Sequence, residues 1–246
     1  MKIKDGDFIG GEDLSSFLVV GQSNMAGRGE ISDVEPINNF RCYMLRNGRF
    51  IKMREPVNVD RPVFEGNFRS GIGLAPSFAN EFANQLKSRV GLIPCADGGT
   101  GISEWQPGGI LYDHAVMMTK LAMRSSTFAG FLWHQGESDA AIRMSSEEYE
   151  TKLTNFINSI RRDLSAENLP FIIGELSENI NYENVTAPDV QKINKAIYSV
   201  AGRLPLCAVA SAKGLMLKPD GVHFNSVSLR EFGKRYFDKY REIKGL

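Results

Sequence analysis

A serine that could act as a nucleophile follows the first long apolar run of the chain. The stretch FLVVGQSNMAGRG, residues 17–29, runs four apolar residues into a glycine and then into Gln22, Ser23 and Asn24. A serine at the end of a buried strand can meet a substrate, and a neighbouring base can activate its hydroxyl for attack on an acyl carbon. The same place suits a helix N-cap, in which Ser23 or Asn24 accepts a backbone hydrogen bond. The stretch by itself leaves both interpretations open.

A base for Ser23 has to come from one of three histidines, His114, His134 and His223. His114 lies in the helical pattern LYDHAVMMTKLAM and His134 ends an apolar run, so structural roles suit both. His223 follows Asp220 by three residues in the turn PDGVH, where one bend brings the carboxylate to the ring. Such a carboxylate fixes the tautomer and stabilises the imidazolium that forms when the ring takes the serine proton. An aspartate in a turn beside a surface histidine is the alternative.

Two further segments offer hydrogen-bond donors for the oxyanion of an acyl transfer. Gly98 and Gly99 in ADGGTG let a backbone N–H approach a substrate oxygen, although a plain tight turn would have the same sequence. The phosphate-binding patterns of a P-loop or a dinucleotide site are absent from this segment. Gln135 in WHQGESD is an amide donor at the end of another apolar run. Glu137 and Asp139 could support that amide or cap a helix.

The WHQGESD segment also contains potential metal ligands. His134, Glu137 and Asp139 lie close together in sequence and resemble the ligands of a metal-dependent hydrolase. No second histidine follows at a helical spacing, so the ligand set of a zinc site is incomplete. The sequence therefore favours a site without a metal, and the metal-dependent hydrolase stays an alternative.

The elements that must position these residues alternate along the chain. Amphipathic helical patterns, such as Tyr149 to Leu164 after the capping-box pair Ser145 and Glu148, lie between short apolar runs. Strands alternating with helices predict a mostly parallel sheet that is covered on both faces. The six runs that we interpret as strands are SSFLVV, FRCYML, RVGLIPC, FAGFLWH, PFIIGEL and PLCAVAS.

Two departures from this alternation are expected. Asn47-Gly48 between apolar arms predicts a hairpin turn. Residues 54–72 show no period and predict a long loop, which in a compact domain is usually functional or mobile. No linker divides the chain, so we expect one domain over residues 1–246.

Length and charge exclude some classes of function. The chain has 246 residues, with 29 Lys and Arg against 29 Asp and Glu and no basic stripe. This balance argues against nucleic acid or an anionic membrane as a partner and favours a neutral or small substrate. No stretch resembles a signal peptide or a membrane span, so we expect a cytoplasmic protein. Cys42, Cys95 and Cys207 lie in apolar runs and are expected to be small buried hydrophobes rather than disulfide or zinc partners.

Four motifs in order, GQSNMAG, GGTGISEW, WHQGESD and DGVHFN, resemble the signatures of the SGNH (GDSL-like) hydrolases. More narrowly they are similar to carbohydrate esterase family 6, the branch of sialate O-acetylesterases and acetylxylan esterases. The resemblance runs from Gly21 to about Asn225. It implies a flavodoxin-like, three-layer α/β/α sandwich with a mostly parallel five- or six-stranded sheet. It also implies deacetylation of a sugar ester without a cofactor.

The resemblance also assigns roles to residues of this chain. It implies Ser23 as nucleophile, His223 as general base and acid, and Asp220 as the residue that orients His223. The oxyanion hole would take the N–H groups of Ser23 and Gly98, with Gly99 as the alternative glycine. The wider superfamily has Gly-x-Asn-Asp in its third signature, and this chain has Gln135 as the substitute donor. The remaining candidates for substrate binding or support are Gln22, Asn24, Gly99, Trp105 and Glu137.

The expected partner is therefore an acetylated sugar, such as acetylated xylan, a xylo-oligosaccharide or a sialic acid. Trp105 could stack on a sugar ring or be wedged into the domain, and Arg69 could reach a substrate carboxylate or be solvated. The alternative from another class is a carbohydrate-binding protein that keeps the fold without catalysis. The oligomeric state is left open by the sequence.

Overall fold

One β-sheet runs through the part of the chain that we describe from a computed structural model. The structure describes residues 8–9, 11, 13–59, 63, 69–182 and 185–246. The strands are β1 (Phe8–Ile9), β2 (Leu14–Gly21), β3 (Cys42–Arg46), β4 (Arg49–Lys52), β5 (Arg89–Pro94), β6 (Thr127–His134), β7 (Phe171–Gly174) and β8 (Cys207–Ala210).

The strand order across the described sheet is β1-β4-β3-β5-β2-β6-β7-β8. All neighbours from β3 to β8 in this order are parallel, whereas β4 pairs antiparallel with both β3 and β1. The six predicted strands are thus the six parallel strands. The sheet is larger than the five or six strands expected, because the hairpin arm β4 joins its edge and β1 pairs with that arm. Asn47 and Gly48 at the hairpin turn both have positive φ, 50° and 76°, as a tight turn between twisted strands requires.

Helices cover both faces of the sheet. Residues of β2 alternate between them: Leu18 and Val20 pack into one core and Phe17 and Val19 into the other. The helices are α1 (Ser23–Ala26), α2 (Ala75–Leu86), α3 (Ile110–Ala122), α4 (Glu137–Ala141), α5 (Ser146–Asp163), α6 (Ala187–Arg203) and α7 (Ser226–Lys244). The first core is completed by α3, α5 and α6 and the second by α2 and α7, which gives the predicted three-layer α/β/α sandwich.

Several smaller expectations can be checked on the described residues. Ser145 caps α5 by accepting the Glu148 N–H at 3.1 Å. The loop predicted over residues 54–72 contains only an isolated bridge from its last residue, and residues 60–62 and 64–68 of it lie outside the described part. All three cysteines are free thiols; two are buried and Cys207 is half-buried. No helix in the described ranges combines the length and apolar character needed to cross a membrane.

Candidate active site

Strand β2 leaves the sheet through a glycine that no other residue could replace without strain. Gly21 has φ +131°, and a Cβ there would lie 2.0 Å from the carbonyl oxygen of His134 on neighbouring β6. The N–H of Gln22 donates to the same carbonyl at 2.9 Å. Because the backbone turns so sharply, Ser23 begins α1 at the carboxyl edge of the sheet, with 7% of its surface exposed.

Ser23 meets a histidine from the other end of the chain. Nε2 of His223 lies 2.9 Å from the Ser23 Oγ, and Nδ1 of His223 lies 3.0 Å from Oδ2 of Asp220. The three predicted side chains therefore form one hydrogen-bonded array. In such an array the ring can take the serine proton on one nitrogen while the carboxylate faces the other nitrogen.

The turn that carries Asp220 keeps its carboxylate charged. Oδ1 of Asp220 accepts the N–H groups of Val222 at 3.1 Å and His223 at 2.9 Å. Burial acts to raise the pKa of Asp220, but these N–H donors and the His223 ring outweigh burial, so the pKa lies below its ordinary value. The carboxylate is thus ionised at neutral pH, which is the form that stabilises an imidazolium.

The buried amide of Asn24 links the segment that contains Ser23 to the segment that contains His223. Asn24 donates from Nδ2 to the Val222 carbonyl at 3.1 Å and accepts the Phe224 N–H at Oδ1 at 3.0 Å. These two contacts lie on either side of His223, so Asn24 fixes the position of the ring relative to α1. Asn24 is fully buried, which suits a supporting role rather than contact with substrate.

Glu137 extends this support to β6. Its Oε1 accepts from Asn24 Nδ2 at 2.6 Å and lies 2.9 Å from His134 Nε2, while its Oε2 has no hydrogen-bond partner among the described residues. Burial acts to raise the pKa of Glu137, but the attraction of His134 and the hydrogen bonds from His134 and Asn24 lower it below the ordinary value. A charged Glu137 therefore links the end of β6 to α1.

The geometry does not support Gln135 as an oxyanion donor. Its side chain is fully buried, and its Nε2 lies 3.0 Å from both Gln22 Oε1 and the Thr100 carbonyl and also contacts an Asp139 carboxylate oxygen. The Tyr149 hydroxyl donates to Gln135 Oε1 at 3.1 Å. Protein acceptors therefore already take the amide hydrogens of Gln135. Its contact with Gln22, which lines the cavity described below, makes it a positioning residue.

Asp139 makes the stability of the folded protein depend on pH. Burial raises the pKa of Asp139 from its ordinary value of 3.8 to about 6, although the Gln135 amide and the Ile102 N–H act in the opposite direction. The folded protein therefore keeps a proton between about pH 4 and pH 6 that the unfolded chain releases, so the free energy of unfolding falls as pH rises through this range. Its full contribution is on the order of 3 kcal/mol.

We expect Asp139→Asn to remove this dependence. Urea unfolding of both proteins at about pH 4 and about pH 7 measures the change. The stability of the wild type relative to the variant should fall between these two pH values. Identical pH dependence in the two proteins would contradict the assignment of the titration to Asp139.

Gly98 lies close to Ser23. A Cβ at Gly98 would lie 3.6 Å from the Ser23 Cβ and 2.5 Å from Nη2 of Arg28, so a side chain there would force the guanidinium to move. Gly99 has φ +76° and nothing within 4 Å of its Cβ position. Gly98 thus lies beside Ser23, whereas Gly99 lines the cavity described below.

The array opens into a cavity of about 350 Å³, which we call the reaction cavity. Its volume lies in the range of small-molecule sites. The walls are mostly apolar, and Ser23, His223 and Asp220 are among the lining residues. The lining residues are Gln22, Ser23, Arg28, Gly99, Glu137, Ser138, Ala141, Ile180, Tyr182, Val185, Asp220, Val222 and His223.

Comparison with known proteins identifies the family. The family model described as "Carbohydrate esterase, sialic acid-specific acetylesterase" matches residues 13–242. The chain belongs to this family of carbohydrate esterases. It is therefore a carboxylic ester hydrolase, and its family supports acetyl ester hydrolysis on carbohydrates.

Individual relatives agree with this family assignment. A probable carbohydrate esterase of Arabidopsis thaliana is 30% identical over 236 residues, which cover 88% of this chain and 86% of the relative. Its X-ray structure superposes with a TM-score of 0.79 at 28% identity, over 93% of this chain and 98% of that one.

More distant structures show the same fold. The crystal structure of NanS has a TM-score of 0.73 at 17% identity, over 94% of this chain and 98% of that one. A putative GDSL-like lipase from Parabacteroides merdae has a TM-score of 0.59 at 9% identity, over 93% and 96% of the two chains. These structures confirm the predicted fold, and the family model confirms the predicted carbohydrate esterase family.

Trp105 and Arg69, the aromatic and basic candidates for contact with the substrate, do not line the reaction cavity. Trp105 is fully buried, donates from Nε1 to Thr100 Oγ1 at 3.0 Å and packs edge-on against Trp133 at 5.5 Å between ring centroids. The idea that Trp105 stacks on a sugar is therefore wrong, and its wedged position in the core is what the structure shows. Arg69 is exposed and does not line the cavity.

The ligands of the metal alternative do not converge. His134 pairs with Glu137, whereas the Asp139 carboxylate accepts the Ile102 N–H at 3.1 Å and contacts Gln135. Within the described ranges, no group of three or more His, Cys, Asp or Glu side chains is arranged to hold a metal ion.

Sequence reasoning missed most of the cavity wall. Arg28 stands five residues after Ser23, directly after the GQSNMAG motif, and that proximity was the only available signal. Ile180, Tyr182 and Val185 come from the segment after β7, and Val222 lies between Asp220 and His223 in their turn. Apolar residues in loops carry no chemical signature, so only the fold reveals that these four face the site.

Proposed function

We propose that this esterase removes acetyl groups from carbohydrates through an acyl-enzyme intermediate on Ser23. The observation that carries the proposal is the continuous array from Ser23 Oγ through His223 to Asp220, with hydrogen-bond distances of 2.9 and 3.0 Å. A serine, a histidine and an ionised carboxylate in this arrangement are the groups that acyl transfer requires.

The reaction runs in two steps. His223 takes the Ser23 proton at Nε2 while Oγ attacks the acetyl carbonyl carbon, and the tetrahedral intermediate collapses as the C–O bond to the sugar breaks. The sugar oxygen leaves with the proton from His223. Water then gives a proton to His223 and attacks the acyl-enzyme, and acetate leaves as Oγ regains its proton. Asp220 stays ionised throughout and stabilises the imidazolium in both steps.

The backbone N–H groups of Ser23 and Gly98 are the proposed donors to the oxyanion. Gly98 packs against Ser23, and Ser23 stands at the start of α1, where backbone N–H groups are not used by the helix. The Gln22 side chain is the side-chain candidate that replaces Gln135. Its Oε1 is held by Gln135 Nε2 at 3.0 Å and by the Ser138 N–H at 3.3 Å, and Gln22 lines the reaction cavity.

Acetate release from a panel of esters tests this function. The panel contains acetylated xylo-oligosaccharides, O-acetylated sialic acids and p-nitrophenyl acetate, and the family description favours the sialic acids. We expect turnover that is unchanged by EDTA. Loss of turnover in EDTA that zinc restores would instead support a metal-dependent hydrolase. Binding of the sugars without acetate release, together with no labelling by a fluorophosphonate, would show a binding protein.

A further inference from the structure

A second cavity, of about 490 Å³, lies at the carboxyl ends of β7 and β8. We call it the outer cavity. It is walled by the residues that directly follow these two strands, by Tyr198 of α6 and by the segment 176–179. Parallel α/β sheets bind ligands at this edge, and the volume is that of a small-molecule site.

The outer cavity and the reaction cavity share one wall. Leu176 to Asn179 line the outer cavity, and Ile180 and Tyr182 of the same segment line the reaction cavity. The wall is fixed at both ends. The N–H of Leu176 donates to Asn194 Oδ1 at 2.9 Å, and the N–H of Asn181 donates to the Gly221 carbonyl, within the turn that carries Asp220, at 2.9 Å. A ligand large enough to pass this wall would occupy both cavities.

The outer cavity presents an oriented aromatic ring. Tyr198 is 47% exposed, and its hydroxyl donates to Glu175 Oε1 at 3.0 Å. Glu175 is itself held, because its Oε2 accepts from Ser211 Oγ at 2.6 Å and from the Ala212 N–H at 2.8 Å. The ring is therefore fixed without being covered. Such a ring offers an apolar face to a ligand at a small cost in conformational entropy.

The remaining lining groups select the chemistry of the ligand. Hydroxyl and amide groups come from Ser177, Ser211 and Asn179, and the charged groups are the carboxylates of Glu175 and Glu178 against the ammonium of Lys213. Two negative charges against one positive charge disfavour an acidic ligand. A neutral molecule with many hydroxyl groups and one apolar face fits a ring bordered by such acceptors and donors.

We propose that the outer cavity is a subsite that binds a neutral sugar unit of the substrate, remote from the ester that Ser23 cleaves. This inference rests on the proposed function. Binding at the subsite would hold an acetylated oligosaccharide across the shared wall, so the subsite would favour acetyl groups on chains over acetyl groups on single sugars.

Binding of unacetylated oligosaccharides tests the subsite without relying on catalysis. Xylobiose to xylohexaose and the corresponding cello-oligosaccharides are titrated into the wild type and Tyr198→Ala by calorimetry. We expect affinity to rise with chain length in the wild type and to fall roughly tenfold in the variant, equivalent to about 1.4 kcal/mol. Tyr198→Phe, which keeps the ring, should bind nearly as the wild type does. Phe40→Ala removes an exposed ring on a surface outside both cavities and should change nothing.

The possible outcomes distinguish failure of the subsite proposal from failure of the proposed function. No binding of any neutral oligosaccharide, or equal binding by the wild type and Tyr198→Ala, overturns the subsite even if acetate is released from the ester panel. Tyr198-dependent binding without acetate release keeps the subsite and refutes the proposed function. If Tyr198→Ala does not fold, Glu178→Ala at an exposed position tests the same cavity, and unchanged binding in that variant also counts against the proposal.

Discussion

Replacing Ser23 with alanine is expected to lower kcat for p-nitrophenyl acetate by roughly 10⁴- to 10⁶-fold. The hydroxyl that His223 contacts at 2.9 Å is the only atom removed, so the backbone N–H groups of the site remain. The residual rate should come from these donors alone. The variant should fold normally, because Ser23 is slightly exposed and its side chain caps no helix.

A fluorophosphonate probe gives an independent measurement of the same prediction. The wild type should be labelled once, at Ser23, and the Ser23→Ala variant not at all. Ser88→Ala is the matched control, since Ser88 precedes β5 at the opposite edge of the sheet. Wild-type turnover by a pure Ser23→Ala protein would refute the mechanism.

The second large effect is expected for Asp220→Asn, with kcat reduced by roughly a thousandfold or more and KM nearly unchanged. An asparagine can still accept the Val222 and His223 N–H groups, so the turn should keep its shape. It removes the negative charge that stabilises the imidazolium, and its amide can donate to Nδ1 and favour the wrong tautomer. The loss should therefore fall on the chemical steps.

Steady-state kinetics on p-nitrophenyl acetate measures this loss, and thermal unfolding checks that the variant is intact. Asp238→Asn, at an exposed position on α7, is the control for removing a carboxylate. A kcat within tenfold of the wild type would mean that Asp220 does not serve His223, and that another group orients the ring.

The sequence was sufficient for most of the fold because local patterns determined it. Apolar runs of strand length and one Asn-Gly turn predicted the six parallel strands and the hairpin. The pairing of β1 with β4 could not be predicted, since β1 has two residues and its partner lies some forty positions away. Contacts between distant short segments have no periodic signal.

Part of the candidate site could likewise be predicted from the sequence, and part could not. The grouping of Ser23, Asp220 and His223 was predictable because few residue types suit acyl transfer and these three follow predicted strands. The environment of Gln135 was not, because its orientation depends on Asp139 and Tyr149, which meet it only in three dimensions. Whether Trp105 packs in the core or faces a sugar depends on its burial, which the whole structure determines and the neighbouring residues in sequence do not.

The Asn24 bridge has a consequence for the synthesis of the protein. Ser23 and His223 are 200 residues apart, and the contacts of Asn24 with Val222 and Phe224 hold their segments together. During translation Ser23 therefore leaves the ribosome long before the turn that contains His223. Under the proposed function, esterase activity can arise only after this turn has emerged and docked on Asn24.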